Sequence, residues 1–526
     1  METLLKLNDV IFLNNYFLIG GLFLSYLIYR IFHSFFTGDH FMQIKYRSRG
    51  HSWRSIQCNK SIPYNIDCTV CSKLMLPLNG LFCECCAISA CKRCHRVMDK
   101  KVKCKLETWP SDKPFYHHWV HVGTIQTENA DQPEECTKKF FCCWCHRTKL
   151  SPRVLQQESE CDFQKYRDII IPPSCVTVEK GMVTNIKPFY DQHWEPLFIL
   201  ANRKSGSNRG DEVLSLFRGL LNPIQVVDIS TTKPESVVRW LPNKCRILVA
   251  GGDGTVAWVL NSLFSAPHIK AAVGILPMGT GNDLSRVLGW GSGCDSYINP
   301  HSIITGIKQA FHQPLDRWKV TIKPKYSRLR RLRPDRVVYA YNYASIGVDA
   351  QVALDFHHAR SQFLYRYANR TLNYIAYLFL GVGRALDAGG CGGLERRVCV
   401  RADGGAPLPL PPVQALVALN IPSWGAGVDL WSMGDEDEVP EQSINDGKFE
   451  VVGISSSFHI ARLQCGLAEP FRFAQASNLR IDLEGSCAMQ VDGEPWMQTP
   501  ATILIEPAGQ SLMLRANNNS NFYSII

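Results

Sequence analysis

The chain has 526 residues, of which 45% are hydrophobic, and a formal net charge of +10. This length is too great for one ordinary hydrophobic core and predicts two to four domains, and the hydrophobic content excludes a wholly disordered chain. The modest positive charge favours anionic partners without choosing between nucleic acid, an anionic lipid surface and a nucleotide. Fifteen of the 21 cysteines precede residue 180, and their Cys-x-x-Cys spacings with nearby histidines fit zinc better than disulfides.

The amino-terminal segment Val10–Tyr29 contains no charged residue. At about 1.5 Å per helical residue it just spans a hydrocarbon core of about 30 Å, so we expect a membrane anchor helix over residues 10–32. Basic residues follow this segment, which predicts that the bulk of the chain faces the cytoplasm, at the endoplasmic reticulum or plasma membrane. A cleaved signal peptide and a segment that enters and leaves on one side remain alternatives.

A first cysteine-rich stretch covers residues 51–104. Its metal-ligand side chains are His51, Cys68, Cys71, Cys83, Cys86, Cys91, Cys94 and Cys104. Eight ligands are enough for two tetrahedral zinc sites. The stretch resembles the protein-kinase-C-type zinc finger, which implies interleaved ligands: one site of His51, Cys83, Cys86 and Cys104, and another of Cys68, Cys71, Cys91 and Cys94. Cys91 stands where that family usually has His, and free buried cysteines are the alternative.

A second, incomplete finger is predicted over residues 118–161. Its candidate ligands are His118, Cys142, Cys145 and Cys161. The usual first Cys-x-x-Cys pair has no counterpart beyond Cys136, so we expect at most one zinc site here. Spacing does not decide whether either finger binds a lipid, and structural use is the simpler interpretation.

The predicted domain 194–318 alternates strands, loops and helices. Pro196–Ala201 and Gln225–Asp228 are typical of strands, Glu212–Leu221 and Glu235–Leu241 of helices. This alternation predicts a parallel sheet with helices on its faces, and such sheets bind ligands beyond the carboxyl ends of their strands.

Two glycine-rich loops follow the strands of this domain. The first, 251–255, has the sequence Gly-Gly-Asp-Gly-Thr and precedes a predicted helix; the second, 277–283, is Pro-Met-Gly-Thr-Gly-Asn-Asp. Glycines let backbone amides approach phosphate oxygens, and the start of a helix favours an anion. One such loop is more often a plain turn, but two at neighbouring strand ends, each with an Asp, predict a phosphate site.

A β-rich domain is predicted over residues 319–516. Short strands between turn residues are expected at 337–344, 397–401, 413–419, 449–454, 479–483, 502–505 and 512–515. A helical insert, Gln351–Gly381, is rich in Phe, Tyr and Leu. It either packs in a core or lines a site for acyl chains.

Two charged runs are interpreted as surface features. The basic run comprises Lys323, Lys325, Arg328, Arg330, Arg331, Arg333 and Arg336. It predicts a solvated loop that can also contact anionic lipid headgroups, and no nucleic acid partner is expected. The acidic run 435–438 lacks the spacing of an EF-hand loop.

Three motifs in this order resemble the catalytic domain of diacylglycerol kinases: 201–206 (Ala-Asn-Arg-Lys-Ser-Gly), 251–255 and 277–283. Together with the hydrophobic amino-terminal segment and the two cysteine-rich stretches, the resemblance to this family spans nearly the whole chain. It implies an α/β nucleotide domain and a β-sandwich domain in a two-lobed lipid kinase that transfers a phosphoryl group from ATP to diacylglycerol, with Mg²⁺ and structural Zn²⁺.

The resemblance also implies roles for individual residues. Nucleotide binding is assigned to Asn202, Ser205, Gly206, Gly251, Gly252, Gly254, Thr255, Gly279, Thr280, Gly281 and Asn282. The chemistry is assigned to Asp253, Asp283, Asp492 and Glu494, with Glu494 as the base and Asp492 in support. A simple hairpin turn at Asp492-Gly493 is the alternative. Asp446 resembles a second metal-binding or structural turn.

Three rival functions share part of this pattern. Sphingosine and ceramide kinases have looser forms of the glycine loops, and NAD kinases have the first loop. A lipid-sensing scaffold with an inactive kinase domain is the third, although every motif residue that the chemistry needs is present.

Overall fold

The structure is a computed structural model. It describes residues 24–25, 50–55, 68–75, 80–105, 115–126, 136–150, 160–179, 182–189, 194–205, 209–294, 297–325, 334–361, 392–433 and 439–517. Several predicted features lie outside these ranges: Gly206, the acidic run 435–438, part of the basic run and the insert beyond residue 361.

The predicted membrane anchor also lies outside the described residues, apart from Leu24 and Ser25. Within the ranges given above, no helix has both the length and the apolar character that a bilayer crossing requires. A span needs about 20 consecutive, mostly apolar helical residues. This finding contradicts the predicted membrane location and corrects it.

The chain divides into two compact units. The first comprises residues 1–107, 118–143 and 147–157, and the second comprises residues 108–117, 144–146 and 158–526. The residues of the predicted second finger therefore belong partly to the first unit and partly to the second.

The described part of the first unit includes two small antiparallel sheets and a seven-residue helix. Its elements are β1 (Trp53–Ser55), β2 (Gly80–Cys83), β3 (Ser89–Cys91), α1 (His95–Lys101), β4 (Trp119–Gln126), β5 (Cys136–Cys142) and β6 (Thr148–Leu150). The sheet orders are β1-β2-β3 and β4-β5-β6. Among the described residues, its core contains Ile88 and Met98 together with buried cysteines. Such a small core typically depends on metal for its stability.

The second unit begins with a hairpin and then forms a parallel sheet. Its first strands are β7 (Val176–Glu179), β8 (Met182–Ile186), β9 (Leu197–Ala201), β10 (Val226–Asp228), β11 (Lys244–Gly251) and β12 (Lys270–Pro277). Strands β10, β9, β11 and β12 are parallel neighbours in that order. Every residue of β9 is buried, as expected for a strand covered on both faces.

The remaining strands build a β-sandwich. They are β13 (Phe311–Pro324), β14 (Arg336–Ala340), β15 (Tyr343–Gly347), β16 (Val398–Ala402), β17 (Ala415–Leu419), β18 (Phe449–Ile454), β19 (Phe471–Ala476), β20 (Leu479–Leu483), β21 (Cys487–Val491), β22 (Glu494–Gln498) and β23 (Ala501–Arg515). One six-stranded sheet has the order β19-β18-β17-β15-β21-β22. Its apolar face packs on side chains of β13, β16, β20 and β23.

The predicted α/β domain and the predicted β-rich domain share one sheet of nine strands. Strand β23 lies beside β12 and runs parallel to it, while its other neighbours, β13 and β20, are antiparallel. The predicted boundary at residues 318/319 consequently falls inside β13. The two strands predicted at 502–505 and 512–515 are one continuous strand, because pairing with β13 carries the backbone through Pro507 and Gly509, at a register shift between Asp316 and Trp318.

Seven α-helices lie in the described part of the second unit. They are α2 (Gly210–Leu220), α3 (Pro234–Val238), α4 (Asp253–Phe264), α5 (Asp283–Val287), α6 (Pro300–Gln309), α7 (Val348–Ser361) and α8 (Ser457–Gln464). Helix α4 follows β11 and α5 follows β12, so both glycine loops connect a parallel strand to a helix. The predicted ligand edge of the sheet is therefore formed by these loops.

Candidate active site

A cavity of about 630 Å³ lies at the carboxyl ends of the parallel strands. Most of the residues predicted from the three motifs line it, together with the predicted acidic pair. These predicted lining residues are Asn202, Ser205, Gly252, Asp253, Gly254, Thr255, Gly279, Thr280, Gly281, Asp283, Asp492 and Glu494. Residues nearly 300 positions apart in sequence thus share one cleft.

The first glycine loop is held against the motif that follows β9. The Asn202 side-chain amide donates a hydrogen bond of 3.2 Å to the Thr255 hydroxyl. A Cβ atom at Gly251 would lie 2.6 Å from Cβ of Thr255, so no other residue fits there. Helix α4 starts immediately after Gly252, and the amides of its first turn supply the positive end of the helix dipole.

The second glycine loop packs against the first, backbone to backbone. A Cβ atom at Gly279 would lie 2.6 Å from Cα of Gly252, closer than any side chain allows. Asn282 fixes the loop, since its side chain accepts from the Gly279 amide at 2.9 Å and donates to the Ser292 carbonyl at 2.8 Å. Asn282 has a φ of +54°, which Asn tolerates better than most residues.

Asp253 links the two loops through its carboxylate. Its oxygens accept hydrogen bonds from the backbone amides of Asp283 at 3.1 Å and Leu284 at 3.2 Å. These amides belong to the first turn of α5, where an anion is favoured. Burial raises the pKa of Asp253 despite these hydrogen bonds.

Asp283 connects the second loop to the β-sandwich. Its carboxylate accepts from the Ser423 hydroxyl at 2.6 Å and from the Ala426 amide at 3.1 Å. Burial raises the pKa of Asp283 to about 6, and the nearby charge of Asp253 adds to the shift. The Oδ2 atoms of Asp253 and Asp283 lie 3.5 and 3.3 Å from the position that a Cβ atom would take at Gly281, so the two carboxylates converge there.

Asp492 occupies a two-residue hairpin turn between β21 and β22. Asp492 and Gly493 both have positive φ, +48° and +81°, as a type I′ turn requires. Its carboxylate accepts three backbone hydrogen bonds of 2.8 to 3.0 Å, from Tyr341, Asn342 and Tyr343. Burial raises the pKa of Asp492 to about 7. Asp492 and Gly493 therefore form a hairpin turn. The Asp492 side chain also stabilises the wall of the cleft through its three hydrogen bonds.

Glu494 begins β22 and differs from the three aspartates because its side chain is exposed. Its Oε1 lies 3.3 Å from the position of a Cβ atom at Gly254, in the first turn of α4. A carboxylate of the β-sandwich thus faces the helix terminus that suits a phosphate.

The carboxyl-terminal end of α4 also contacts the β-sandwich. Arg317 donates to the Tyr341 hydroxyl at 3.0 Å and to Asn261 Oδ1 at 3.1 Å, and its guanidinium stacks between the rings of Phe264 and Tyr339. Arg317 lies at the register shift of β13, where an irregular strand redirects a side chain. Arg317 thus connects the carboxyl-terminal end of α4 to Tyr341, whose backbone amide donates to Asp492.

Four predicted residues are placed elsewhere or lie outside the described residues. Gly251 and Asn282 support the loops and do not line the cavity, and Gly206 lies outside the described residues. Asp446 is exposed and accepts the Lys448 amide at 3.0 Å, so it closes a turn instead of lining the cavity. This position matches the alternative that Asp446 belongs to a structural turn.

Several lining residues were not assigned from sequence. They are Lys204, Trp258, Asn342, Tyr343, Ala353, His357, Gly425, Ala426, Gln490 and Gly493. Lys204 stands inside the first motif and was not given a role. Most of the others come from β-sandwich segments that carry no local pattern, so only the tertiary structure brings them to the cleft.

The first cysteine-rich stretch has the two interleaved ligand sets expected from the resemblance. Ligand atoms of His51, Cys83, Cys86 and Cys104 lie within 4.8 Å of one another, and so do those of Cys68, Cys71, Cys91 and Cys94. The Sγ atoms of Cys83 and Cys104 are 3.7 Å apart. Tetrahedral zinc with Zn–S bonds of about 2.3 Å separates its ligands by about 3.8 Å, so the donor set fits zinc.

In the second cysteine-rich stretch, the structure corrects the predicted histidine. His117, and not His118, lies with Cys145 and Cys161, and its Nδ1 is 3.3 Å from the Cys145 Sγ. Consecutive residues of an extended segment point to opposite sides, so only one of the two histidines can face the cysteines. Burial lowers the pKa of His118 to about 4. Cys142 stays a predicted ligand by its spacing to Cys145.

Two protein-family models match the second unit. Residues 196–313 match the diacylglycerol kinase catalytic domain and residues 339–495 the diacylglycerol kinase accessory domain. These two matches cover the glycine loops on one wall of the cleft, and Asp492 and Glu494 on the other.

Curated relatives extend this similarity. The chain is 31% identical over 500 residues to "Probable diacylglycerol kinase 3" of Caenorhabditis elegans, covering 85% of this chain and 62% of that protein. It is 36% identical to diacylglycerol kinase theta of Homo sapiens and 38% identical to diacylglycerol kinase 1 of Arabidopsis thaliana, each over 61% of this chain and over 35% and 44% of the relative. The chain thus spans less than two thirds of the length of these relatives.

A solved structure of a diacylglycerol kinase from Bacillus anthracis str. Sterne shares 16% identity with the chain, with a TM-score of 0.32 over 62% of this chain and 98% of that one. The family assignment depends on the sequence matches alone. The catalytic and accessory domains together span just over half of the residues, and the chain belongs to the diacylglycerol kinase family.

Proposed function

We propose that the chain transfers the γ-phosphoryl group of ATP to the hydroxyl group of 1,2-diacylglycerol, which gives phosphatidate and ADP. The observation that carries the proposal is the shared cleft. Glycine loops suited to phosphates form one wall, and Glu494, an exposed carboxylate, faces them from the other.

The residues of the cleft have separate tasks in this proposal. The amides of 252–255 and 279–281 and the Lys204 side chain bind the nucleotide phosphates. Glu494 accepts the proton of the acceptor hydroxyl, since a base must lie within hydrogen-bond reach of the group that attacks. Asp253 and Asp492 each hold the backbone of their own wall, and Asp283 joins the two walls through Ser423.

The donor chemistry of the cleft also fits a divalent cation. The converging carboxylates of Asp253 and Asp283 would hold Mg²⁺ together with phosphate oxygens, which is a common arrangement for this ion. Bound there, Mg²⁺ would neutralise charge that develops on the phosphoryl group. Zn²⁺ in the cysteine clusters would have a structural role.

Labelling of lipid from radioactive ATP tests the proposal. The purified full chain with Mg²⁺ and diacylglycerol in mixed micelles should produce labelled phosphatidate. Asp253→Asn keeps one acceptor oxygen and removes the charge, so it should abolish product while the chain stays folded by circular dichroism. Absence of labelled phosphatidate with the unmodified chain would reject the function, and normal turnover by Asp253→Asn would reject the site.

A panel of lipid acceptors separates the rival functions. Diacylglycerol, sphingosine and ceramide are compared at equal mole fraction in the same micelles. Preference for either sphingolipid would identify another lipid kinase, and no product with any acceptor would favour an inactive scaffold.

Within the family, we propose the epsilon type with a preference for polyunsaturated, arachidonoyl-like acyl chains. The two cysteine-rich stretches ahead of the catalytic domain support it. Rates measured with diacylglycerols that differ only in their acyl chains test this point, since equal rates with saturated and arachidonoyl species would contradict it.

A further inference from the structure

Helix α7 forms a part of the cleft wall to which no role has been assigned. It packs against β15, β21 and β22, the last of which begins with Glu494. Ala353 and His357 lie one turn apart on α7, and both line the cavity. Ala353 is buried, whereas the His357 side chain is exposed, so the imidazole is open to the cleft.

Two contacts fix the start of α7. Gly347, at the bend from β15, has a φ of +126°, and a Cβ atom there would lie 2.1 Å from the Gln414 carbonyl oxygen. Asp349, fully buried in the first turn, accepts from the Gln490 side-chain amide at 2.8 Å. Gln490 itself lines the cleft. Its hydrogen bond to Asp349 therefore fixes the start of α7 relative to the wall that carries Asp492 and Glu494.

The described side chains that line the cleft include few basic groups. Among the lining residues that the structure describes there are four carboxylates, Asp253, Asp283, Asp492 and Glu494, and two basic side chains, Lys204 and His357. Lys204 belongs to the nucleotide wall, and His357 supplies the basic group of the opposite wall. A phosphoryl group in transfer carries negative charge on its equatorial oxygens, and donors on both sides stabilise it.

We propose that His357 is a further catalytic residue, whose imidazole N–H donates a hydrogen bond to the phosphoryl group while it passes from ATP to the acceptor. In this step a bond forms between the acceptor oxygen and the γ-phosphorus and the bond to the bridging oxygen of ADP breaks. The hydroxyl proton goes to the Glu494 carboxylate. The proposal rests on the phosphoryl transfer proposed above and adds a donor on the acceptor wall.

Three variants of the full chain test this role, with its neighbour as the matched control. His357→Ala removes the N–H donor, His357→Gln keeps a neutral N–H donor, and His358→Ala changes the adjacent exposed histidine of α7, which does not line the cavity. kcat and the KM for ATP are measured with diacylglycerol in mixed micelles. ATP and ADP affinities are measured without lipid.

His357→Ala should lower kcat by roughly 100- to 1,000-fold, the range found when one such donor is lost, and should raise the KM for ATP to a smaller extent. His357→Gln should recover part of the loss, and His358→Ala should match the unmodified chain. The His357→Ala chain should also discriminate less between ATP and ADP, because the lost donor contacts only the γ-phosphoryl group.

An unchanged kcat in His357→Ala would overturn the role, and so would an equal loss in His358→Ala, which would indicate a change in α7 itself. If the unmodified chain makes no phosphatidate, the proposed function fails. The ATP and ADP affinities then still test His357 separately: unchanged discrimination in His357→Ala would reject the contact.

Discussion

The Asp283 carboxylate accepts a hydrogen bond of 2.6 Å from the Ser423 hydroxyl, and both side chains are buried. Asp283 belongs to the second glycine loop, whereas Ser423 follows β17 of the six-stranded sheet. A carboxylate predicted to act in the chemistry therefore also joins the two walls of the cleft. The position of Glu494 relative to α4 depends on such links.

We expect Ser423→Ala to destabilise the chain by about 1–3 kcal/mol, because a buried charged acceptor loses a donor that water cannot replace. The measurement is the free energy of unfolding in urea. Ser443→Ala removes a hydroxyl that donates to Asn445 at the surface and should stay within about 0.5 kcal/mol of the unmodified chain. Equal effects of the two substitutions would mean that the Asp283 link contributes no special stability.

Glu494→Gln should lower kcat by about 10²- to 10⁴-fold, the usual contribution of a positioned base. ATP affinity, measured by titration calorimetry, should be nearly unchanged, because the phosphates are assigned to the opposite wall. Glu484→Gln is the matched control, since Glu484 is exposed and pairs with Lys325 outside the cavity. A Glu494→Gln variant with full kcat would remove Glu494 from the mechanism.

Stability should depend on pH through Glu450, which is fully buried between the side-chain amides of Gln442 and Gln475. Burial raises the pKa of Glu450 from 4.5 to about 8, with a further contribution from the Asp446 charge. The folded chain therefore keeps a proton between pH 4.5 and 8 that the unfolded chain has lost, and stability falls as the pH rises through this range.

Glu450→Gln removes this titration. Its free energy of unfolding relative to the unmodified chain should increase from pH 5 to pH 8 by on the order of 1–3 kcal/mol. Glu441→Gln changes an exposed neighbour and should leave the pH dependence as it is. Parallel pH profiles for the unmodified chain and Glu450→Gln would contradict the prediction.

The cysteine sets make a quantitative prediction about zinc. Cys83→Ser should lower the bound zinc by one equivalent per chain, measured by atomic emission, because it removes a thiolate from a four-ligand set. Cys85 is also fully buried but lies outside that set, so Cys85→Ser should keep the full zinc content. If Cys85→Ser lowers the zinc content and Cys83→Ser does not, the zinc must be held by a different ligand set.

Local patterns explain which parts of the site were predictable. Continuous apolar runs followed by glycines predict β11 and β12 and the helices after them, because buried strands and helix starts impose these residue types over a few positions. The loops at 251–255 and 277–283 line the cleft as the sequence indicated. The interleaved cysteine sets also agree with the resemblance, since ligand spacing is a local constraint.

Long-range placement explains what was not predictable. His357, Gln490 and Asn342 carry no motif, and they reach the cleft only because α7, β21 and the segment before β15 meet there. The choice of His117 over His118 depends on which side of an extended segment faces the cysteines. Similarly, a turn at Pro507-Gly509 was the natural expectation, and pairing along β13 extends the strand instead.

The sequence by itself determined the family, the two glycine loops and the identity of the nucleotide wall, because short stretches of chain encode how a backbone can approach a phosphate. The tertiary structure alone decided the second wall: which carboxylate faces the first turn of α4, and which ones serve as anchors. Backbone amides donate hydrogen bonds to the carboxylates of Asp253, Asp283 and Asp492, whereas Glu494 stays exposed in the cleft, and that difference arises only when distant strands pack together.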